Sequence, residues 1–333
     1  MLLMDADTGA VLAEKDCDTP SLIASTTKIM TALVICEAGD LDRTVVIPPE
    51  AVGIEGSSMY LKAGEVLSVH ELTVQELLYG LMLRSGNDAA VALALADSGS
   101  ISAFAARMNE KAAVLGLKNT HYANPHGLDS EENYSTALDL ARLTRFALQN
   151  PDFAQLVSTK SVTIGDRVLT NHNKLLWQYS GAIGVKTGYT RTAGRILVGA
   201  AERDGRRLIA VTIADPNDWA DHAALFDYGF SQFSERQLVT ADSVVGQIPV
   251  INGAEDSVNL ISHFSFSYPL ADGEQPELRL LAPHFVFAPC DTVSATLEVW
   301  LDGTRIGALP LRLAAPVAEN PVQKSIFQRI FGE

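Results

Sequence analysis

Two apolar runs flank a short polar turn in the stretch ILVGAAERDGRRLIAVTIA, residues 196–214. Each run is rich in valine, isoleucine, leucine and alanine, and the turn Arg203-Asp204-Gly205 ends in a pair typical of β-hairpins. The stretch therefore predicts two adjacent antiparallel strands, Ile196–Ala201 and Arg206–Ala214. Because no helix separates them, they do not belong to a parallel sheet in which strands and helices alternate.

The residues before this stretch supply further strands and a block of helices. An apolar hairpin spans Leu2–Leu12, and another strand spans Ala182–Thr187. Apolar residues recur at helical spacing in six segments, which are Ser25–Cys36, Thr73–Leu83, Asp88–Ala96, Ser102–Leu115, Thr136–Leu148 and Asp218–Phe230. This order predicts a mixed α/β chain of the α+β type, in which helices cover an antiparallel sheet.

Beyond Phe233 the helical periodicity stops, and short β-type runs separated by Pro, Gly and Asp take over. They predict a small all-β sandwich domain and include Phe264–Tyr268, Leu278–Leu281, Ser294–Trp300 and Arg305–Leu309. A chain of 333 residues is long enough for two domains. We expect an N-terminal domain over residues 1–235, a β-rich domain over 236–318 and a tail over 319–333.

The charge of the chain excludes one large class of function. With 25 Lys+Arg against 40 Asp+Glu, the formal net charge is −15, whereas nucleic-acid binding needs basic patches. No nucleic-acid partner is therefore expected. The histidines match no standard metal motif, since Val74 follows His70-Glu71 where a zinc peptidase needs its second histidine. Neither a metal nor another cofactor is predicted.

A serine and a lysine three residues apart open the first predicted helix, as Ser25-Thr26-Thr27-Lys28. A serine hydroxyl is a poor nucleophile until a base takes its proton, and residues at this spacing share a helix face. Lys28 can be that base only when it is neutral, which burial and a second cation nearby would favour. The helix N-terminus and the backbone N–H of Ser25 would stabilise a developing oxyanion.

Two further motifs follow in the chain. Ser85-Gly86-Asn87 is a predicted elbow between helices, where Ser85 would relay a proton and Asn87 would bind Lys28 or a substrate amide; helix capping is its alternative role. Lys186-Thr187-Gly188 ends a predicted strand and offers an ammonium group to a carboxylate, although an exposed edge lysine is the alternative there. Together the motifs predict acyl transfer to serine on a peptide that ends in a carboxylate.

Four segments match one known family: Ala24–Ala32, Gly56–Leu61, Leu83–Ala90 and Gly184–Thr190. Through them the sequence resembles the serine D-alanyl-D-alanine carboxypeptidases, which are penicillin-binding proteins of low molecular mass. Ser-x-x-Lys and Lys-Thr-Gly are also shared with class A β-lactamases. The resemblance is dense from about Met4 to Phe230 and implies the transpeptidase-like fold of penicillin-binding proteins and serine β-lactamases.

The resemblance also implies roles for the motif residues. Ser25 forms an acyl-enzyme with a peptidoglycan pentapeptide ending in D-Ala-D-Ala and releases the last D-alanine, while Lys28 accepts the proton. Ser85 and Asn87 assist in catalysis. Substrate binding falls to Lys186, Thr187, Gly188 and Tyr189, the last through a second oxyanion N–H. β-Lactam antibiotics would acylate the same serine of this cell-wall enzyme.

The family is exported and held at the outer face of the cytoplasmic membrane by a C-terminal amphipathic segment. Val322, Ile326, Phe327, Ile330 and Phe331 share one helical face here, so residues 319–333 are expected to start such a segment and make peripheral membrane contact. A frayed tail is the alternative. No basic and apolar signal segment opens the chain, so we expect the signal peptide to be absent from it.

Three departures from the family concern substrate binding. Tyr189 stands where many members have histidine, and His172 stands where some have arginine. An arginine that some members place near the terminal carboxylate has no counterpart in residues 213–216, and Arg191 and Arg195 are the nearby candidates. These departures affect the expected substrate preference and leave the acylation chemistry unchanged.

Three other functions use similar residues. A class A β-lactamase carries Ser-Asp-Asn at the elbow and a glutamate for deacylation, and that glutamate has no obvious counterpart here. A D,D-endopeptidase acting on cross-links would use the same residues, and the depth of the pocket would decide between the two. A catalytically idle penicillin-binding sensor would not need both the nucleophile and its base.

Overall fold

The computed structural model describes residues 1–67 and 71–320. It divides into two compact units, Met1–Ser231 and a second unit that begins at Gln232. The domain boundaries expected from the sequence, 1–235 for the N-terminal domain and 236–318 for the β-rich domain, stay predictions. The expected amphipathic tail lies outside the described residues except for residues 319 and 320.

In its described residues, 1–67 and 71–231, the first unit contains nine strands, which are β1 (Leu2–Asp5), β2 (Val11–Glu14), β3 (Ser21–Leu22), β4 (Tyr134–Ser135), β5 (Ser161–Ile164), β6 (Arg167–Thr170), β7 (Ala182–Thr190), β8 (Gly194–Arg203) and β9 (Arg206–Ile213). Five of them form an antiparallel sheet in the order β2-β1-β9-β8-β7. The stretch 196–214 forms its centre, because β8 pairs with β9 from Ile196↔Ile213 to Arg203↔Arg206. The predicted N-terminal hairpin joins the same sheet through β1 and β9.

Eight α-helices accompany these strands in the part of the chain that the structure describes: α1 (Lys28–Ala38), α2 (Val74–Leu83), α3 (Asn87–Ser98), α4 (Ile101–Val114), α5 (Ala137–Ala147), α6 (Pro151–Ser158), α7 (Leu175–Gln178) and α8 (Asp218–Gln232). The sequence pattern predicts six of them and does not indicate the short helices α6 and α7. Helix α2 starts with a capping box, in which Thr73 Oγ1 accepts from the Glu76 amide and the Glu76 carboxylate accepts from the Thr73 amide. Thr73 therefore fixes where α2 begins.

The five-stranded sheet is covered on both faces. Side chains alternate between the faces along each strand, so Leu2, Met4 and Val198 pack with the α1–α6 core while Leu3 and Leu197 face the other way. On that second face they pack with Leu225 and Phe226 of α8. Burial on both sides explains why β8 and β9 are almost continuously apolar.

The second unit is β-rich, as predicted. Its strands are β10 (Phe233–Val239), β11 (Val244–Ile251), β12 (Ser257–Ser262), β13 (Phe266–Ala271), β14 (Glu277–Leu281), β15 (Val286–Phe287), β16 (Ala295–Leu301) and β17 (Thr304–Leu313). Six form one sheet in the order β14-β16-β17-β12-β11-β15, and β10 pairs with β13 in another. Ile248, Leu260 and Val299 lie in its core.

Within residues 1–67 and 71–320, no single helix is long and apolar enough to cross a bilayer; α3 and α4, bent by 85°, pass that test of length and composition only as a pair.

Candidate active site

Ser25 lies in the 3₁₀ turn Ala24–Thr27, which leads directly into α1. The turn brings Lys28 back toward Ser25, so that Nζ of Lys28 is 2.9 Å from Oγ of Ser25. Lys28 is fully buried, whereas Ser25 is half-buried and lines a cleft. The local spacing thus makes the serine accessible and removes its lysine from solvent.

The ammonium position of Lys28 has three oxygen neighbours. Besides Ser25 Oγ, they are Asn87 Oδ1 at 2.7 Å and the carbonyl oxygen of His126. Neither an amide oxygen nor a carbonyl can donate a hydrogen. A neutral Lys28 that donates to both of these has a lone pair left, and only the Ser25 hydroxyl can donate to it. These contacts therefore direct the lone pair of Lys28 Nζ toward the hydroxyl of Ser25.

Burial, followed by the like charge of Lys186, lowers the pKa of Lys28 well below its usual range, and Asp88 opposes this shift. Taking an ammonium group out of water penalises its charged form. Lys28 is thus disposed to be a neutral amine at a far lower pH than a surface lysine.

The Ser85-Gly86-Asn87 elbow lies between α2 and α3. Ser85 adopts a left-handed backbone with φ of +59°, a conformation uncommon for residues other than glycine and often found at functional sites. Asn87 begins α3 and donates to the Glu55 carbonyl while it accepts from Lys28. Of the two options left by the sequence, the structure places Asn87 on Lys28.

Lys186 lies on β7 and is 1% exposed. Its Nζ donates to Ser85 Oγ at 3.1 Å and to the Thr187 carbonyl at 2.9 Å. Burial lowers the pKa of Lys186 to about 7. The exposed edge lysine considered as an alternative is therefore wrong, and the site holds two serine–lysine pairs, Ser25–Lys28 and Ser85–Lys186.

Two glycines allow other backbone to approach Ser25. A Cβ on Gly188 of β7 would lie 3.2–3.3 Å from the backbone of Ile23 and Ser25. Gly127 has φ of +87°, and a Cβ there would lie 1.9 Å from the Ala24 carbonyl oxygen and 3.0 Å from the Ser25 nitrogen. The turn that carries Ser25 is thus packed between a strand and a loop.

A cleft of about 280 Å³ opens beside these groups. Its lining includes seven residues expected or noted from the sequence and four others; together they are Ser25, Ser57, Ser85, His172, Thr187, Gly188, Tyr189, Arg195, Ile196, Asp218 and Trp219. Tyr189 is 67% exposed at its rim. Lys28 and Lys186 lie behind this lining and contact it through Ser25 and Ser85, and Asn87 contacts Lys28.

Comparisons with known proteins identify the arrangement. A family model described as D-alanyl-D-alanine carboxypeptidase matches residues 1–217. The chain belongs to the D-alanyl-D-alanine carboxypeptidase family.

This carboxypeptidase resembles known proteins over most of its length. It is 33% identical to D-alanyl-D-alanine carboxypeptidase DacF of Bacillus subtilis, over 96% of this chain and 83% of that protein. It is 40% identical to DacB2 of Mycobacterium tuberculosis, over 69% and 81% respectively. The crystal structure of penicillin binding protein 5 from Haemophilus influenzae matches 96% of both chains, with a TM-score of 0.82 and 30% identity. The predicted fold class, family and serine carboxypeptidase activity are confirmed.

Two histidines near the site of this carboxypeptidase are held neutral. Burial, with the charge of Lys28, lowers the pKa of His126 to about 4. Burial, with the charges of Lys186 and Arg84, lowers the pKa of His172 to about 4. Both histidines are therefore neutral near pH 7, where Lys186, with its pKa of about 7, is partly protonated.

Several residues of the carboxypeptidase site do not follow from sequence patterns. Asp88 accepts hydrogen bonds from the Ser58 hydroxyl and from the Met59 and Leu61 amides, which fixes the segment that bears Ser57. The His126 carbonyl and Gly127 act through the backbone, which carries no side-chain signature. Pro125-His126-Gly127 signals a turn, but nothing in the sequence indicates that the turn contacts Ser25.

Proposed function

We propose that Ser25 carries the acyl group in the hydrolysis of peptidoglycan stem peptides that end in D-alanyl-D-alanine. The 2.9 Å contact between Ser25 Oγ and the buried Lys28 Nζ is the observation that carries this proposal. Family membership supplies the reaction class, and the contact supplies its nucleophile and base.

In the first half of the reaction, Ser25 Oγ attacks the carbonyl carbon between the two D-alanines and its proton passes to Lys28 Nζ. The resulting oxyanion is stabilised by the backbone N–H groups of Ser25 and Tyr189. The C–N bond then breaks, and the departing amine of D-alanine takes a proton through Ser85, which Lys186 holds at 3.1 Å. The products are free D-alanine and an acyl-Ser25 ester.

In the second half, water attacks that ester. Lys28, neutral again after the proton has passed to the leaving amine, removes the proton of the water and returns it to Ser25 Oγ as the C–O bond breaks. The shortened peptide leaves. A β-lactam is expected to follow only the first half, because its leaving amine stays tethered to the acyl group after the ring opens, and we therefore expect a persistent penicillin ester on Ser25.

Covalent labelling and product release together test the proposal. Purified protein is expected to bind a fluorescent penicillin at Ser25 and to release D-alanine from a D-Ala-D-Ala peptide. Ser25→Ala should abolish both, while Ser158→Ala, which removes an exposed hydroxyl on α6, should alter neither. Labelling of the Ser25→Ala protein would show that the nucleophile is another residue.

The same assay separates the alternatives. Labelling without D-alanine release would favour a penicillin sensor. Mass spectrometry of cross-linked and uncross-linked stem peptides after incubation distinguishes cross-link cleavage, expected of a D,D-endopeptidase, from loss of the terminal D-alanine. The proposal requires that uncross-linked pentapeptides lose one D-alanine.

We also propose that residues 1–235 form the catalytic domain of an exported enzyme and that 236–318 form an accessory β-rich domain at the outer face of the cytoplasmic membrane. The sequence of residues 319–333, with its apolar residues on one helical face, supports peripheral membrane contact. Cosedimentation with anionic lipid vesicles, with and without 319–333, tests this; equal binding by both chains would contradict it.

A further inference from the structure

Two phenylalanine side chains project from one edge of the second unit. Phe285 is 44% exposed and Phe287 is 58% exposed, whereas Val286 between them is buried in the core of that unit. Because side chains alternate along an extended segment, one residue here faces the core and its two neighbours face outward. The two rings lie 5.3 Å apart at an angle of 84°. They therefore form one apolar surface, the phenylalanine pair.

The phenylalanine pair is held on an edge strand. Among the residues that the structure describes, β15 is the last strand of the six-stranded sheet, and it pairs in parallel with β11, with Phe287 opposite Ile251. The Ala288 amide also donates to the Ile251 carbonyl at 2.9 Å. The backbone that carries the pair is thus fixed, while its rings remain exposed. Contiguous exposed apolar surface of this kind marks contact with another protein or with a membrane.

The path of the chain toward residues 321–333 begins beside this pair. The Asn320 amide donates to the Asn252 carbonyl at 3.0 Å. Asn252 directly follows Ile251, which is the register partner of Phe287. Given the spacing of residues along and across strands, the backbone at residue 320 lies on the order of 10 Å from Phe287.

This position favours a membrane over a protein as the partner. The sequence of residues 319–333 places its apolar residues on one helical face, and an amphipathic helix on a membrane lies about 5–10 Å into the boundary between headgroups and acyl chains. A group on the order of 10 Å from the start of such a segment can reach the same boundary. The loops that adjoin β11 and β15 carry the exposed acidic residues Asp256 and Asp291, so the contact would be apolar and not an attraction to anionic headgroups.

We propose that Phe285 and Phe287 insert into the lipid surface and form a second membrane contact of the β-rich unit, beside the contact through residues 319–333. The inference rests on the proposed function, because the adjoining segment is what brings the pair to the bilayer. Two contacts on one compact unit restrict its rotation about the segment. The unit then presents its β15 edge to the membrane.

Binding of the full chain to vesicles of phosphatidylethanolamine and phosphatidylglycerol tests the proposal. Phe287→Ser should weaken binding by about 3- to 10-fold, and the double change Phe285→Ser/Phe287→Ser by about 10- to 100-fold, as expected when half-exposed aromatic rings lose an apolar contact. High salt should leave these ratios unchanged, since it screens charges and not apolar contacts.

Phe264→Ser is the matched control. Phe264 is 59% exposed and follows β12, at the end of the β11–β12 hairpin where Val244 pairs with Ile261. Phe287 lies at the other end of β11, on the order of 20 Å away. Phe264→Ser should therefore bind vesicles as the wild type does. Equal losses in Phe264→Ser and Phe287→Ser would overturn the proposal.

A second readout reports insertion directly and does not depend on weakening the protein. Phe287→Trp keeps an aromatic ring at the position, so binding should persist and the added fluorescence should be quenched when the vesicles contain lipids with brominated acyl chains. The added fluorescence of Phe264→Trp should not be quenched. A bound Phe287→Trp protein without quenching would overturn the proposal.

The chain that ends at residue 318 separates this inference from the proposed function. If it binds as tightly as the full chain and Phe287→Ser weakens both, the contact proposed for residues 319–333 fails and the phenylalanine pair is supported. If removal of 319–333 weakens binding and the double change does not, the pair is overturned and the segment stands. Loss of self-association in the double variant, with wild-type vesicle binding, would assign the pair to a contact between copies of the chain instead. A full chain that binds no vesicles overturns both.

Discussion

Two buried lysines and two serines are the reactive groups of this site, and the contacts of each lysine indicate its role. Lys28 has three oxygen neighbours, of which only Ser25 can donate a hydrogen to a neutral amine. Lys186 contacts Ser85 and lies close enough to Lys28 for its charge to lower the pKa of Lys28. Lys186 therefore acts on Ser85 through contact and on Lys28 through charge.

The pH dependence of acylation follows from this coupling. The base must be neutral, so acylation slows as the pH falls through the lowered pKa of Lys28. Lys186→Gln removes a like charge and raises the pKa of Lys28, which moves the acid limb of the profile to higher pH. The measurement is the rate of Ser25 labelling by a fluorescent penicillin across the acid and neutral range.

Lys174→Gln is the control, because it removes one positive charge from an exposed position. Its acid limb should coincide with that of the wild type. A Lys186→Gln limb that does not move would show that the titrating base is not Lys28.

At the scale of elements, the site forms where three pieces of backbone meet. The 3₁₀ turn that bears Ser25 is packed between Gly188 on strand β7 and Gly127 in the loop before β4. The same loop supplies the His126 carbonyl to Lys28. The loop thus supports the nucleophile and its base at once, without contributing a catalytic side chain.

Gly127→Ala should disable the nucleophile. Its Cβ would collide with the Ala24 carbonyl, 1.9 Å away, and push on the Ser25 nitrogen. Gly116→Ala is a matched control, since Gly116 also has a left-handed φ, +68°, but nothing lies within 4 Å of its Cβ position. Both variants carry about 1 kcal/mol of backbone strain, and only Gly127→Ala should slow penicillin labelling, by about tenfold or more. Equal labelling rates in the two variants would contradict a supporting role for the loop.

Sequence patterns predict the local parts of this molecule and miss the contacts between distant parts. The hairpin at 196–214 and the start of α2 at Thr73 depend on neighbouring residues, and both are confirmed. The segment Pro151–Ser158 is helical although only eight residues long, too short for a clear apolar period. Its signals are the Asn150 cap and Pro151.

In the site, Ser25 and Lys28 are three residues apart, so their pairing follows from helix geometry. Lys28 meets Asn87 across 59 positions and His126 across 98. Convergence over such distances is set by the packing of the core, which no single motif encodes. The motifs indicated Asn87 because its side chain is recognisable. They missed His126 because it acts through its backbone carbonyl, a group that every residue has.

At the scale of the whole molecule, the net charge of −15 describes the surface and not the cleft, where Lys28, Lys186 and Arg195 lie close together.

The first unit also buries His222 of α8 completely, against the sheet. Its Nε2 lies 3.2 Å from Thr212 Oγ1, and its ring packs edge-on against Phe226. The fold therefore has to hold several basic groups neutral.

Acid should consequently weaken the fold through His222. Burial lowers the pKa of His222 to about 3, against a smaller raising effect of a hydrogen bond with the Leu197 backbone. Its pKa in the unfolded chain is near 6.5. Between these two values the unfolded state binds the extra proton, so the stabilisation is complete above about pH 6.5 and is lost as the pH falls toward 3. At pH 5 the loss from this one group is about 2 kcal/mol.

His222→Gln removes the titration and should lower the difference in unfolding free energy between about pH 7 and pH 5 by roughly that amount, measured by calorimetry of the first unit's transition. The residual slope belongs in part to His126 and His172, whose pKa values are lowered to about 4. His284→Gln, at an exposed position in the second unit, should leave the difference unchanged. If His222→Gln shows the wild-type difference, the proton that destabilises the fold binds elsewhere, and burial of His222 costs nothing in acid.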